Sequence, residues 1–91
     1  MAEEIKNILV VGAGVMGSAI SQVFAANGYK TVMADLKEAF LETALKRIET
    51  NIDGMEEENL ADGSYRKAVH ENLITILNSQ IPEKADGSTL W

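Results

Sequence analysis

Cysteine, proline and long apolar runs are absent or scarce in this chain, which has no cysteine and one proline among its 91 residues. The lack of cysteine excludes disulfide bonds and thiolate metal sites, and no other metal site is predicted. It also fits a reducing environment, so we expect the cytoplasm or another reducing, soluble compartment. No apolar run approaches the ~18 residues of a membrane span. The acidic, polar start Met1–Glu4 does not have the pattern of a signal peptide.

Positive charge is scarce as well. The chain has 8 Lys and Arg against 14 Asp and Glu, and a net charge of −6. Nucleic acids and anionic membranes bind basic patches, whereas Lys46-Arg47 and Arg66-Lys67 are isolated pairs with acidic neighbours. We therefore expect neither partner. The length predicts a single domain over residues 1–91.

What the chain does contain is a glycine-rich hexamer, Gly12 to Gly17, with the sequence Gly-Ala-Gly-Val-Met-Gly. The apolar run Ile8–Val11 precedes it and a helix-like segment follows it. Asp35, which ends the next apolar run, follows at close to the spacing of about 20 residues that dinucleotide sites use. Together these features predict a nucleotide cofactor. The alternative is a strand-to-helix turn that binds no ligand.

Each glycine has a physical reason to occupy its position. Gly12 permits a tight turn out of the strand, and Gly14 lets a diphosphate approach the backbone. Gly17 lets the helix pack closely on the strand. The free N–H groups and the positive end of the helix dipole then face the phosphates.

Asp35 indicates which nucleotide would bind. A carboxylate at this position accepts hydrogen bonds from both ribose hydroxyls and repels a 2′-phosphate, which favours NAD over NADP. Lys37, two residues later, would soften that repulsion. FAD competes for the same glycine pattern, but flavin sites more often place Glu where this chain has Asp35. The alternative role for Asp35 is an N-cap of the following helix, and the two roles are compatible.

The remaining patterns predict an α/β fold with a partial, Rossmann-like parallel sheet joined by right-handed crossovers. The predicted order of elements is β-α-β-α-β, which is about half of a doubly wound nucleotide-binding fold. A further short helix and a short fourth strand are also predicted. The second helix is expected to end at Asp53-Gly54, and Ser64 to cap the third. Strands are predicted at Ile5–Val11, Lys30–Asp35, Leu73–Leu77 and Ser88–Trp91, and helices at Val15–Asn27, Lys37–Ile52 and Ser64–Asn72.

Burial can also be predicted from the spacing of apolar residues. The first strand is apolar on both faces, as in a sheet that is covered on both sides. Yet successive crossovers in one direction place their helices on one face only. We expect the other face to be uncovered and to form a homo-oligomer. The first helix is expected to bury the stripe Met16, Ile20, Val23 and Phe24, and the second to bury Leu41, Ala44, Leu45, Ile48 and Ile52.

The glycine loop and its surroundings resemble the N-terminal NAD-binding domain of the 3-hydroxyacyl-CoA dehydrogenases. The residues that carry the resemblance are Val11–Ile20, Val23-Phe24-Ala25 and Gly28-Tyr29. They form the pattern G-x-G-x-M-G-x-x-I followed by F-A-x-x-G-Y. The resemblance is dense over residues 5–53 and thin afterwards.

The resemblance implies oxidation of 3-hydroxyacyl-CoA to 3-oxoacyl-CoA, with hydride transfer to NAD. The catalytic His–Glu pair of that family lies beyond the cofactor half, and the sole histidine, His70, matches neither its position nor its context. We therefore predict no catalytic residue and no activity for the isolated chain. The alternatives are a stand-alone, non-catalytic NAD or adenine-nucleotide module and an assembly protein that keeps the fold without a ligand. The implied cofactor residues are Gly12, Ala13, Gly14, Val15, Met16, Gly17 and Asp35, with Lys37 beside them.

Overall fold

A computed structural model describes residues 7–81 and 88–90 of the chain. Two predicted strands, Lys30–Asp35 and Leu73–Leu77, have the predicted bounds. Residues 5, 6 and 91 of the other two predicted strands lie outside the described residues. In chain order the elements are β1 (Asn7–Val11), α1 (Val15–Ala26), β2 (Lys30–Asp35), α2 (Glu38–Glu57), α3 (Gly63–Asn72), β3 (Leu73–Leu77), a 3-10 turn (Asn78–Gln80) and β4 (Ser88–Leu90).

The four strands form one parallel sheet in the order β3-β2-β1-β4. This confirms the predicted α/β class and the partial Rossmann-like sheet. Because all strands run the same way, the loops that follow β1 and β2 meet at one edge. The Gly12 N–H donates to the Ala34 carbonyl at that edge, with an N···O distance of 2.7 Å. The glycine loop and Asp35 are thus brought together by the strand pairing.

All three helices pack on one face of the sheet. Met33 of β2 lies in a buried cluster with Ala25 of α1, Ile48 of α2 and Val69 of α3. Val10 is in register with Met33, so it lies on the same face, and it is also buried. The core therefore lies between this face and the helices.

The opposite face of the sheet is only partly covered, as predicted. Ile74 is 57% exposed, and Ala34 is the one fully buried side chain of this face among the described residues. The prediction that β1 is covered on both sides is therefore wrong, because its crossovers place their helices on one face. Leu9, Val11, Val32 and Ile76 of this face are half-buried.

The buried face of α1 differs from the predicted apolar stripe. Met16 is 75% and Val23 is 55% exposed, and Ile20 and Phe24 are only half-buried. The buried residues of α1 are Ser18, Ser21, Gln22 and Ala25. Three of these four have small side chains, which allow α1 to approach the sheet and the other helices closely. The amide of Gln22 stays satisfied because it donates to the Tyr65 hydroxyl, 3.0 Å away.

Helix α2 continues past Asp53-Gly54, so the predicted end is wrong. It stops where Asn59 adopts a left-handed conformation with φ 60°. The Leu60 N–H then donates to the Met55 carbonyl at 2.7 Å. This hydrogen bond is typical of helices that end in a left-handed residue. Its buried residues are Leu41, Ala44, Ile48 and Ile52, as predicted, while Leu45 is 38% exposed.

The N-cap of α3 is Asp62 and not Ser64. The Asp62 carboxylate accepts hydrogen bonds from the Ser64 hydroxyl at 2.6 Å and from the Ser64 and Tyr65 N–H groups at 3.0 and 3.2 Å. These hydrogen bonds, that from the Ser64 side chain first, lower the pKa of Asp62. A residue two positions upstream of the predicted cap therefore begins the helix.

Candidate functional site

The glycine loop leaves β1 in a conformation that depends on two of its glycines. Gly12 has φ +105°, a region that residues with a side chain rarely adopt. A Cβ on Gly17 would lie 1.9 Å from the Gly12 carbonyl oxygen, so only glycine fits there. The first turn of α1 thus contacts the end of β1 directly, and the helix axis starts at the edge of the sheet.

The N-terminus of α1 is open. Gly14 is its N-cap, has an extended backbone and provides no side-chain cap, and the first turn contains no acidic residue. A Cβ on Gly14 would meet no atom within 4 Å, so the backbone here is accessible. The N–H groups of the first turn have no partner within the helix. Together with the helix dipole they can bind an anion.

The Asp35 carboxylate lies against this loop. Its Oδ2 accepts from the Ala13 N–H at 2.7 Å, and its Oδ1 accepts from the Leu36 N–H at 2.6 Å. The N-cap of α2 is Lys37, so the alternative role of Asp35 as the α2 cap is wrong. A carboxylate has about four acceptor positions, and these two bonds leave about two free for hydroxyl groups of a ligand.

A groove of about 290 Å³ lies between the loop and α2. It brings together three of the predicted site residues, Ala13, Gly14 and Asp35. Val15 and Met16 are 70% and 75% exposed beside it. Lys37 is exposed and does not line the groove; its Nζ lies 5.8 Å from the centre of the Phe40 ring. Gly12 and Gly17 shape the backbone and do not line the groove.

Sequence reasoning missed the other wall of the groove. Phe40, Thr43 and Arg47 of α2 complete its lining. They are spaced i, i+3 and i+7, which places them on one side of a helix. That spacing was visible in the sequence. What was not visible is that this side of α2 faces the glycine loop, because that depends on how α2 packs in the folded chain.

His70 lies outside the groove. Its Nε2 is 2.6 Å from the Glu49 Oε2, so its carboxylate neighbour is on α2. Glu49 also pairs with Arg66 at 2.5 Å, and Arg66 pairs with Asp53 and Glu56 at 2.5 and 3.1 Å. Hydrogen bonds to Glu56 and Asp53 raise the pKa of Arg66, which stays protonated. This network joins α2 to α3.

Two further kinds of site are absent from the part of the chain that the structure describes. Over residues 7–81 and 88–90, no group of three or more His, Cys, Asp or Glu side chains is placed to bind a metal ion. Within the same residues, no helix combines the length and the hydropathy that a membrane span needs.

The sequence of this chain is similar to that of known dehydrogenases. A model of the family described as "3-hydroxyacyl-CoA dehydrogenase, NAD binding domain" matches residues 7–86. The mitochondrial hydroxyacyl-coenzyme A dehydrogenases of Rattus norvegicus and Homo sapiens are each 35% identical to this chain over 75 and 77 residues. Both matches cover 82% of this chain, but 23% and 24% of those proteins.

Two solved structures have a fold similar to that of this chain. The crystal structure of Mycobacterium tuberculosis FadB2 aligns with a TM-score of 0.78 and 26% identity, over 81% of this chain and 26% of that one. The (S)-3-hydroxybutyryl-CoA dehydrogenase PaaH1 of Ralstonia eutropha aligns with a TM-score of 0.77 and 21% identity, over 82% of this chain and 26% of that one. The chain therefore spans about a quarter of the length of these proteins.

Proposed function

This chain belongs to the family of 3-hydroxyacyl-CoA dehydrogenase NAD-binding domains, and from that premise we propose that it binds the adenosine diphosphate end of NAD in the groove beside Asp35. The cofactor of the family is NAD. The observation that carries the proposal is the meeting of Ala13, Gly14 and Asp35 in one groove at the uncapped N-terminus of α1.

Each part of the nucleotide has a suitable partner there. The N–H groups at the start of α1, over Gly14, Val15 and Met16, would bind the diphosphate. The free acceptor positions of Asp35 would bind the ribose hydroxyls. Gly12 and Gly17 would act through the backbone, and Lys37 through its charge near the ribose. The nicotinamide would extend past Met16, away from the groove.

Isothermal titration of the whole chain with NAD and with ADP-ribose tests this proposal. We expect the two dissociation constants to agree within a few-fold, because the proposed contacts all lie in the adenosine diphosphate part. Asp35→Asn should weaken both ligands about tenfold or more, since it removes a charged acceptor. Glu38→Gln is the matched control, because it removes an exposed carboxylate that does not line the groove.

Two outcomes would contradict the proposal. The absence of saturable binding below millimolar concentrations would favour an assembly protein that keeps the fold without a ligand. If the Asp35 and Glu38 substitutions change the dissociation constants equally, Asp35 acts only through its charge and does not contact the ribose.

We also propose that the isolated chain does not oxidise 3-hydroxyacyl-CoA. A general base must lie within hydrogen-bond reach of the substrate hydroxyl. The sole histidine, His70, does not line the groove, and its Nε2 contacts Glu49. The chain with NAD and 3-hydroxybutyryl-CoA should show no rise in NADH absorbance. Turnover by the pure chain would contradict this and would also exclude the non-catalytic nucleotide module as an alternative.

A further proposal is that a second copy of this chain covers the open sheet face in solution. Leu9, Val11, Val32, Ile74 and Ile76 contribute apolar surface to it. Strands β1, β2 and β3 place no acidic residue on this face, so their carboxylates would not face one another across the contact. Light scattering should give twice the mass of the chain, and Ile74→Lys should give the monomer. A wild-type monomer at all concentrations would refute the proposal.

A further inference from the structure

We infer that Arg47 binds a phosphate group of the nucleotide in the groove, a role that adds a charged ligand to the backbone N–H groups of the loop. The inference rests on the proposed function, because it assumes that the groove receives an adenine nucleotide. Arg47 lies on α2 and belongs neither to the glycine loop nor to the end of β2, which carry the proposed function.

The position of Arg47 supports this role. It lines the same groove as Gly14 and Asp35, although it lies on α2. It is half-buried, whereas its neighbour Lys46 is exposed. Part of its side chain therefore packs against the wall of the groove. A long side chain of this kind covers apolar surface with its stem and presents its charge at the end.

The charge of Arg47 has no ion-pair partner in the part of the chain that the structure describes. No ion pair within 4.0 Å involves it among residues 7–81 and 88–90. The positions three and four residues away on α2, where a helical partner would lie, are all neutral: Thr43, Ala44, Thr50 and Asn51. Arg66, in contrast, pairs with three carboxylates. Within the described residues, the guanidinium donors of Arg47 are therefore available to bind an anion.

Asp35 is the acidic residue that lines the groove, and it does not pair with Arg47. Both oxygens of Asp35 accept backbone N–H groups, and neither pairs with Arg47 within 4.0 Å. A phosphate is the anion that fits, because the planar guanidinium can donate two parallel hydrogen bonds to its oxygens. In NAD this phosphate belongs to the 5′-diphosphate at the start of α1, whereas a 2′-phosphate, which Asp35 repels, is present only in NADP.

Ligand-observed NMR titrations with adenosine, 5′-AMP, 5′-ADP and 2′-AMP test the inference on the whole chain. Arg47→Gln should weaken at least one phosphate-bearing ligand about tenfold and should leave adenosine unchanged. Arg47→Lys should recover part of the loss, since it keeps the charge but not the paired donors. Lys46→Gln is the matched control and should change no ligand. A loss confined to 5′-AMP and 5′-ADP identifies the diphosphate, and one confined to 2′-AMP identifies the 2′-phosphate.

Equal affinities of wild type and Arg47→Gln for every phosphate would overturn the inference, as would an equal loss for adenosine. If 5′-ADP binds and Arg47→Gln has no effect, the inference fails and the proposed function stands. If no ligand binds to the wild type, both fail. Thermal unfolding of each variant shows that it is folded, so that a loss of affinity cannot be a loss of structure.

Discussion

Gly17→Ala is expected to damage the fold itself, although it adds one methyl group. The new Cβ would lie 1.9 Å from the carbonyl oxygen and 2.9 Å from the carbonyl carbon of Gly12. Backbone atoms cannot rotate away as a flexible side chain can. Because real Cβ contacts essentially never fall below 3.0 Å, α1 and the end of β1 must separate by about 1 Å or more.

This separation has a cost that can be estimated. Overpacking of a close contact typically destabilises a protein by about 1–3 kcal/mol. Lifting α1 also loosens the packing of Ser18, Ser21 and Ala25, which are fully buried. We expect a loss near the upper end, about 2–3 kcal/mol. For a domain of this size, each kcal/mol lowers the melting temperature by about 4–8 °C, so the expected drop is roughly 10–20 °C.

Gly14→Ala is the control, because it adds the same methyl group three residues earlier. A Cβ there meets no atom within 4 Å, and the backbone is extended with φ −73°. Its stability should change by less than about 1 kcal/mol, while its NAD affinity should fall because the methyl stands where the diphosphate approaches. Thermal unfolding and NAD titration of both variants give the test. A Gly17→Ala protein with the same melting temperature as the wild type would refute the packing argument.

Three further predictions concern stability. Ile48→Ala should lower the free energy of unfolding by about 2–5 kcal/mol in urea titrations, because Ile48 is 1% exposed in the core. Ser21→Ala should raise it by about 1 kcal/mol, because the Ser21 hydroxyl is buried and has no partner among the described residues. Hydrogen bonding lowers the pKa of Asp62 below its ordinary 3.8 in the folded state, so its charge stabilises the fold above that pH and ceases to do so as the pH falls through the folded-state pKa. Wild type and Asp62→Asn should therefore differ in melting temperature near neutral pH, and the difference should shrink as the pH falls below the ordinary pKa of an aspartate and through the lowered folded-state pKa of Asp62.

Each of these has an opposing result. A loss for Ile48→Ala below about 1 kcal/mol would mean that the core collapses around the deletion. Destabilisation by Ser21→Ala would mean that the hydroxyl has a partner. A difference between wild type and Asp62→Asn that stays constant throughout an acid titration would exclude the charge of Asp62 as its cause.

Much of the fold could be predicted from local chemistry. The strands β2 and β3 are apolar runs with abrupt polar ends, and the order of the elements implies parallel pairing. The roles of Gly12 and Gly17 follow from conformation and contact, and the structure shows both. The uncovered sheet face was also predictable, because the direction of successive crossovers determines on which side their helices lie.

What could not be predicted depends on packing between elements. The apolar residues of α1 suggested a buried stripe through Met16 and Val23, but the helix buries its small side chains because they allow a closer approach. Gly54 suggested a helix end, yet the hydrogen bonds around Asn59 place it one turn later. Arg47 gave no local indication of its position at the groove.

The groove joins residues that are close in sequence, whereas the pairing of β1 with β4 joins residues that are far apart in sequence. The hydrogen bond between Ala13 and Asp35 spans 22 residues, and all groove residues lie between residues 13 and 47. The pairing of β1 with β4 joins Ile8 to Ser88. Longer closure costs more chain entropy, and β4 is a three-residue edge strand. We therefore expect β4 to open locally while the β1-α1-β2 unit keeps its groove, with β4 amides exchanging hydrogen first.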